Sequence, residues 1–108
     1  MYDMPEFQSL RREYLVNALE RCASLEAESA RLRSGEAVDL KALRQEVHKL
    51  RGSGGFYGFT ALSSAAAQAE DHIVLVLDGE LPRDDHQIAS LVAAVVTAAR
   101  EAANAFGL

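Results

Sequence analysis

His48 stands in a setting that invites chemistry. Four glycines follow it within ten positions: Gly52, Gly54, Gly55 and Gly58. Three cations are near it in the chain, Arg44, Lys49 and Arg51. A glycine inside a helix costs roughly 1 kcal/mol relative to alanine. The run therefore needs a reason in a chain otherwise rich in alanine and leucine. An imidazole can attack through one ring nitrogen while a hydrogen bond holds the other. Set among cations and cleared of neighbouring side chains, it suits a doubly charged phosphoryl group.

Helical register shows how these residues would meet. With Leu40 at zero and about 100° per residue, Leu43, Val47 and Leu50 centre near −40° and His48 falls near +80°. His48 is thus expected on the solvent side of its helix. Arg44 and Gln45 lie one turn before it, and Arg51 and Gly52 one turn after. Gly55 is one further turn along, nearly in line. Gly52 and Gly55 would leave the ring open to a large partner, with Gln45 and Gly55 on the partner surface. Gly58 reads as the helix end, whereas Gly54 has no evident purpose. Glu70 falls at the edge of the next apolar stripe, near +80° from Leu62. From there it could accept the Nδ1–H of His48 and leave the Nε2 lone pair free. The register equally permits Glu70 as a solvated helix residue.

The elements that must position these residues are helical. The first segment runs from about Pro5 to Arg33, with Phe7, Leu10, Tyr14, Leu15, Leu19, Cys22, Leu25 and Leu32 at three- and four-residue steps. Pro5 suits a first turn, and Gly35 a C-terminal cap. A second segment starts near Asp39 as N-cap, with the stripe Leu40, Leu43, Val47 and Leu50. A third follows Thr60 as N-cap and runs to about Leu77, with the stripe Leu62, Ala66, Ala69, Ile73 and Val76. A fourth begins near Asp84 or Asp85, with Ile88, Leu91, Val95, Ala99, Ala102 and Phe106 inward. Phe56, Tyr57 and Phe59 should pack under the junction of the second and third. Four amphipathic helices with short loops predict an all-α fold, an antiparallel four-helix bundle running up-down-up-down, as a single domain over 1–108.

The stretch from His48 to Glu70 resembles the histidine-containing phosphotransfer (HPt) family. The family pattern is His-x-Leu-Lys-Gly-Ser, a Gly at +10, a Leu at +14 and a Glu near +22. This chain reads His48, Leu50, Arg51, Gly52, Ser53, Gly58, Leu62 and Glu70. The resemblance implies that His48 is phosphorylated on Nε2, midway along an exposed helix face. It implies exchange with an aspartate of a response-regulator receiver domain, in a two-component phosphorelay supplied by a histidine kinase. In chemotaxis kinases of the family a Glu at +22 bonds the histidine, and Glu70 fits that role. Arg51 departs from the usual lysine, exchanging a point charge for a planar fork. Gly54 and Gly55 replace small residues with side chains, and are expected to fray the helix. Ala69 stands where leucine is common, which implies close helix packing.

On this reading the chain is a phosphocarrier and not an enzyme. Arg51, Lys49 and Arg44 would balance phosphoryl charge. No cofactor is expected on the chain, and magnesium belongs to the partner receiver. "GSGG" is not followed by Lys-Ser or Lys-Thr, and no G-x-G-x-x-G occurs, which argues against an ATP site. His48, His72 and His86 show no metal-ligand spacing, and both latter histidines read as surface residues. The net charge of −5 argues against nucleic acid. One cysteine, Cys22, allows no internal disulfide and reads as a buried small hydrophobe. No uncharged apolar run reaches the ~20 residues of a membrane span. A cytoplasmic, monomeric protein is expected. The rival reading is a helical adaptor or kinase-regulating bundle without phosphate chemistry.

Overall fold

The computed structural model describes residues 4–108. It contains α1 (Pro5–Arg33), α2 (Leu40–Phe56), α3 (Thr60–Leu77) and α4 (Asp85–Ala105). They form an antiparallel up-down-up-down bundle. The closest backbone contacts are α1 on α4, α4 on α3 and α3 on α2. The α1–α2 seam is looser. Side chains bridge it: Tyr14 Oη to Ser53 Oγ at 2.8 Å, Arg21 to Glu46 at 2.9 Å, and Arg31 to the Ala37 carbonyl at 2.9 Å.

Local chemistry sets the helix ends. Pro5 occupies the first turn of α1. The Asp39 carboxylate caps α2 by accepting from the Lys41 and Ala42 amides, and Asp84 caps α4 by accepting from Gln87 N–H. At the end of α2, Gly58 adopts φ +83°, a conformation costly for residues with a Cβ. The Gly58 and Phe59 amides then bond back to the Gly55 and Gly54 carbonyls. This tight reversal brings α3 alongside α2 after only residues 57–59. Thr60 is not the cap of α3. It is the first helical residue, and Phe59 takes the N-cap place without a side-chain hydrogen bond. Burial decides this: the Phe59 ring stacks on Tyr14 at 5.9 Å, meets Phe106 edge-on at 6.2 Å, and lies under the Arg11 guanidinium.

The core follows the apolar stripes. Leu15, Val47, Leu62, Ala66, Ala69, Ile73, Ile88, Val92 and Val95 are fully buried. Cys22 is buried among them, and burial pushes its thiol up from the ordinary range. Leu10 departs from expectation: it lies about 90° from the centre of the α1 stripe and is largely exposed. Phe56 is also more exposed than expected, touching Phe7 and Tyr57 edge-on at the bundle end. By length and composition alone α4 is apolar enough to cross a membrane, although its uncharged run stays short of a span. Its Ile88, Ala89, Val92, Val95, Val96, Ala99 and Ala103 are instead buried in the bundle.

Gly54 and Gly55 do not fray α2, which continues through both to Phe56. The reason is tertiary. Gly54 is buried, and a Cβ there would stand 3.4 Å from both Leu62 Cγ and the Ser63 amide nitrogen. The missing side chain lets α3 lie against α2 at this point. A Cβ at Gly52 would meet nothing within 4 Å. Gly54→Leu should therefore lower unfolding stability by roughly 1–3 kcal/mol through overpacking. Gly52→Ala should raise it by about 0.5–1 kcal/mol through helix propensity. Urea unfolding followed by circular dichroism checks both signs; equal effects would refute the packing account.

Candidate functional site

His48 projects from the middle of α2, with 62% of its side chain exposed. Its Nδ1 lies 2.7 Å from Glu70 Oε2 on α3. A carboxylate only accepts, so Nδ1 carries the hydrogen, and in the neutral ring Nε2 keeps its lone pair. Nε2 makes no hydrogen bond to the described residues. Glu70, by contrast, is 5% exposed. The register permitted either a solvated or a paired Glu70, and the structure has the paired one.

The surroundings of Glu70 explain how a carboxylate sits there. Arg44 Nε donates to Oε2 at 3.0 Å, and Arg51 Nη1 donates to Oε1 at 3.2 Å. Burying an anion is costly unless it is paired and hydrogen-bonded, and these contacts meet both conditions. Arg51 Nη1 also reaches Asp71 Oδ1 at 3.0 Å. The bonds to Glu70 and then Asp71 hold the Arg51 guanidinium above the ordinary arginine range.

The expected site residues divide into two groups. Arg44, His48, Arg51 and Glu70 come together. Lys49 does not join them: its Nζ lies 3.8 Å from Glu46 Oε1, and it lines the α1–α2 groove with Tyr14, Arg21 and Ser53. It stands about 100° further round the helix, away from α3. Gln45 is exposed and Gly52 faces open space. Gly55 is exposed too, but a Cβ there would come within 3.3 Å of Ser63 Oγ. That hydroxyl donates to the Arg51 carbonyl at 2.7 Å. Gly55 thus lies at the α2–α3 seam as well as beside His48.

Sequence reasoning missed Asp71, although an acid next to Glu70 was visible. It also missed Ser63, whose contact depends on the close approach at Gly54. His72 is not the surface residue expected. It is half-buried, with Nε2 covered and without a hydrogen-bond partner among the described residues. It occupies the edge of α3 opposite Glu70, near −80° from Leu62. His86 is exposed. Among the described residues no three His, Cys, Asp or Glu side chains gather as a metal site.

A family model described as "Hpt domain" matches residues 9–103. The chain belongs to the Hpt domain family. Hpt domains are helical bundles that act as phosphocarrier modules in phosphorelays, working with receiver domains and histidine kinases. The matched span holds all four helices up to their termini and every residue of the His48 cluster. Searches of curated proteins and of solved structures returned no match.

In this Hpt domain the His48 tautomer depends on Glu70. Glu70→Gln can both donate and accept, so it should let the imidazole populate both tautomers. The stability cost should be about 1 kcal/mol, because glutamine keeps the volume and an acceptor oxygen and the partly exposed arginines can take up water. Ring-nitrogen NMR shifts and thermal unfolding check the two parts. A single Nδ1–H tautomer in Glu70→Gln would refute the dependence.

Proposed function

We propose that His48 is the phosphoacceptor of this Hpt domain, exchanging a phosphoryl group with an aspartate of a receiver domain. The observation that carries this reading is the asymmetry of the ring. Nδ1 is held by a buried carboxylate while the rest of the imidazole stands open to solvent. That arrangement presents a nucleophilic lone pair in one orientation to a partner's surface.

The reaction balances as follows. The neutral imidazole Nε2 attacks the phosphorus of an aspartyl phosphate in line. The N–P bond forms as the P–O bond to the aspartate breaks, and the aspartate leaves as a carboxylate. The ring keeps its Nδ1 hydrogen and gains positive charge, which the Glu70 carboxylate stabilises. The reverse step returns the group to a receiver. Arg51 is the nearest fixed cation on the C-terminal side of His48. Its Nη1 is tied to Glu70 and Asp71, and on this reading its charge offsets the phosphoryl charge as it develops. Lys49, on the far side, suits the partner's surface better than the reacting group. Magnesium on the receiver would supply the remaining charge compensation. The carrier depends on a kinase or a phosphorylated receiver for its phosphoryl group.

Gly52 supports the same reading, because its face of α2 offers no obstacle to a docking protein. Incubation with a phosphorylated receiver or a cognate kinase should give acid-labile, base-stable label on the wild type and none on His48→Gln. Label persisting in His48→Gln would refute the assignment. Gly52→Gln should remain helical by circular dichroism and slow transfer about tenfold, a loss near 1.4 kcal/mol in the barrier.

A further inference from the structure

We infer that Arg44 is a positioning residue, which fixes His48 by locking the Glu70 carboxylate rather than by touching the phosphoryl group. The inference rests on the phosphotransfer reading and assigns Arg44 a part different from that of Arg51.

The argument begins with Glu70 Oε2. That oxygen accepts two bonds, from His48 Nδ1 at 2.7 Å and from Arg44 Nε at 3.0 Å. Arg51 binds the other oxygen, at 3.2 Å, through a nitrogen it shares with Asp71. The terminal torsion of a glutamate is broad and roughly two-fold. With Arg51 alone, the carboxylate can turn away from the ring and release Nδ1. Arg44 is the second tie, and it acts on the oxygen that holds the imidazole. With both guanidinium groups in place, each oxygen has its own cation, and the bond to Nδ1 keeps one direction.

Helix geometry separates the two arginines. Arg51 follows His48 by three residues and binds the other oxygen while also reaching Asp71. Arg44 precedes His48 by four residues and binds the Glu70 oxygen that accepts from Nδ1. Its Nε, rather than its tip, meets Glu70. Beyond that contact Arg44 lines a surface hollow with Val74, Leu77 and Asp78 of the α3 end. Its side chain is more than half covered. A side chain seated there steadies the carboxylate that holds Nδ1.

The test is Arg44→Gln, with two readouts. Ring-nitrogen NMR of unphosphorylated protein reports the His48 tautomer without any partner. Transfer from a phosphorylated receiver, followed across receiver concentrations, separates the saturating rate from the half-saturating concentration. The expected result is a mixture of tautomers, a saturating rate lower by about tenfold, and a half-saturating concentration within about twofold. An unchanged tautomer overturns the inference, whatever the rate does. So does a mixed tautomer with an unchanged saturating rate. A change confined to the half-saturating concentration makes Arg44 a docking contact and also overturns it. Absence of transfer from wild type to any receiver would fail the phosphotransfer reading instead, and the tautomer spectrum would still decide whether Arg44 positions His48.

Discussion

A carboxylate almost without solvent, hydrogen-bonded to a largely exposed histidine, is the constraint on which the rest of the site depends. Glu70 accepts from His48 Nδ1 at 2.7 Å while 5% of its side chain is exposed. An anion so placed must find its partners within the protein. Arg44 and Arg51 supply them, one turn before and one turn after the histidine, and each takes a different oxygen. The three α2 side chains and the one α3 carboxylate therefore stand together. Moving α3 by an ångström would lengthen all these bonds at once.

The bundle is built so that α3 does not move. Gly54 has no side chain where α2 meets Leu62 and Ser63, and Ala69 is fully buried one residue before Glu70. The αL turn at Gly58 returns the chain with only three residues between the helices. At the same end, Tyr14, Tyr57, Phe59 and Phe106 form a chain of ring contacts. On the other side α4 fills the space between α1 and α3 with small and β-branched side chains. The site is rigid on its buried side and open on its outer side, which is the division a carrier docking against a second protein requires.

Much of this was legible in the sequence because it depends on local chemistry and period. The stripes in α2 and α3 place their apolar residues well, since 3.6-residue periodicity follows from the backbone alone, whereas in α4 the buried face is turned toward Ala89, Val92, Val96 and Ala103, with Leu91, Ala102 and Phe106 at its edge. Asp39, Asp84 and Gly58 act where capping rules put them. The outward direction of His48 also follows from register. Apart from Leu10, which register itself places off the stripe, the errors come from a neighbour that helical register does not describe. Thr60 lost the cap because Phe59 found a buried aromatic niche. Gly54 and Gly55 stay helical because α3 lies against them.

The amino-acid sequence by itself determined that there would be four helices, that His48 would point outward, and that a carboxylate would stand 22 residues further along at the edge of a stripe. Tertiary structure alone decided what that carboxylate does. Its burial, its division between two arginines and the addition of Asp71 all depend on the rotation and separation of α2 and α3. Those are set by Gly54, Ala69 and the short turn between the helices. The physical reason is range. Periodicity and caps act within one or two turns of chain, whereas desolvating an anion is a property of everything packed around it.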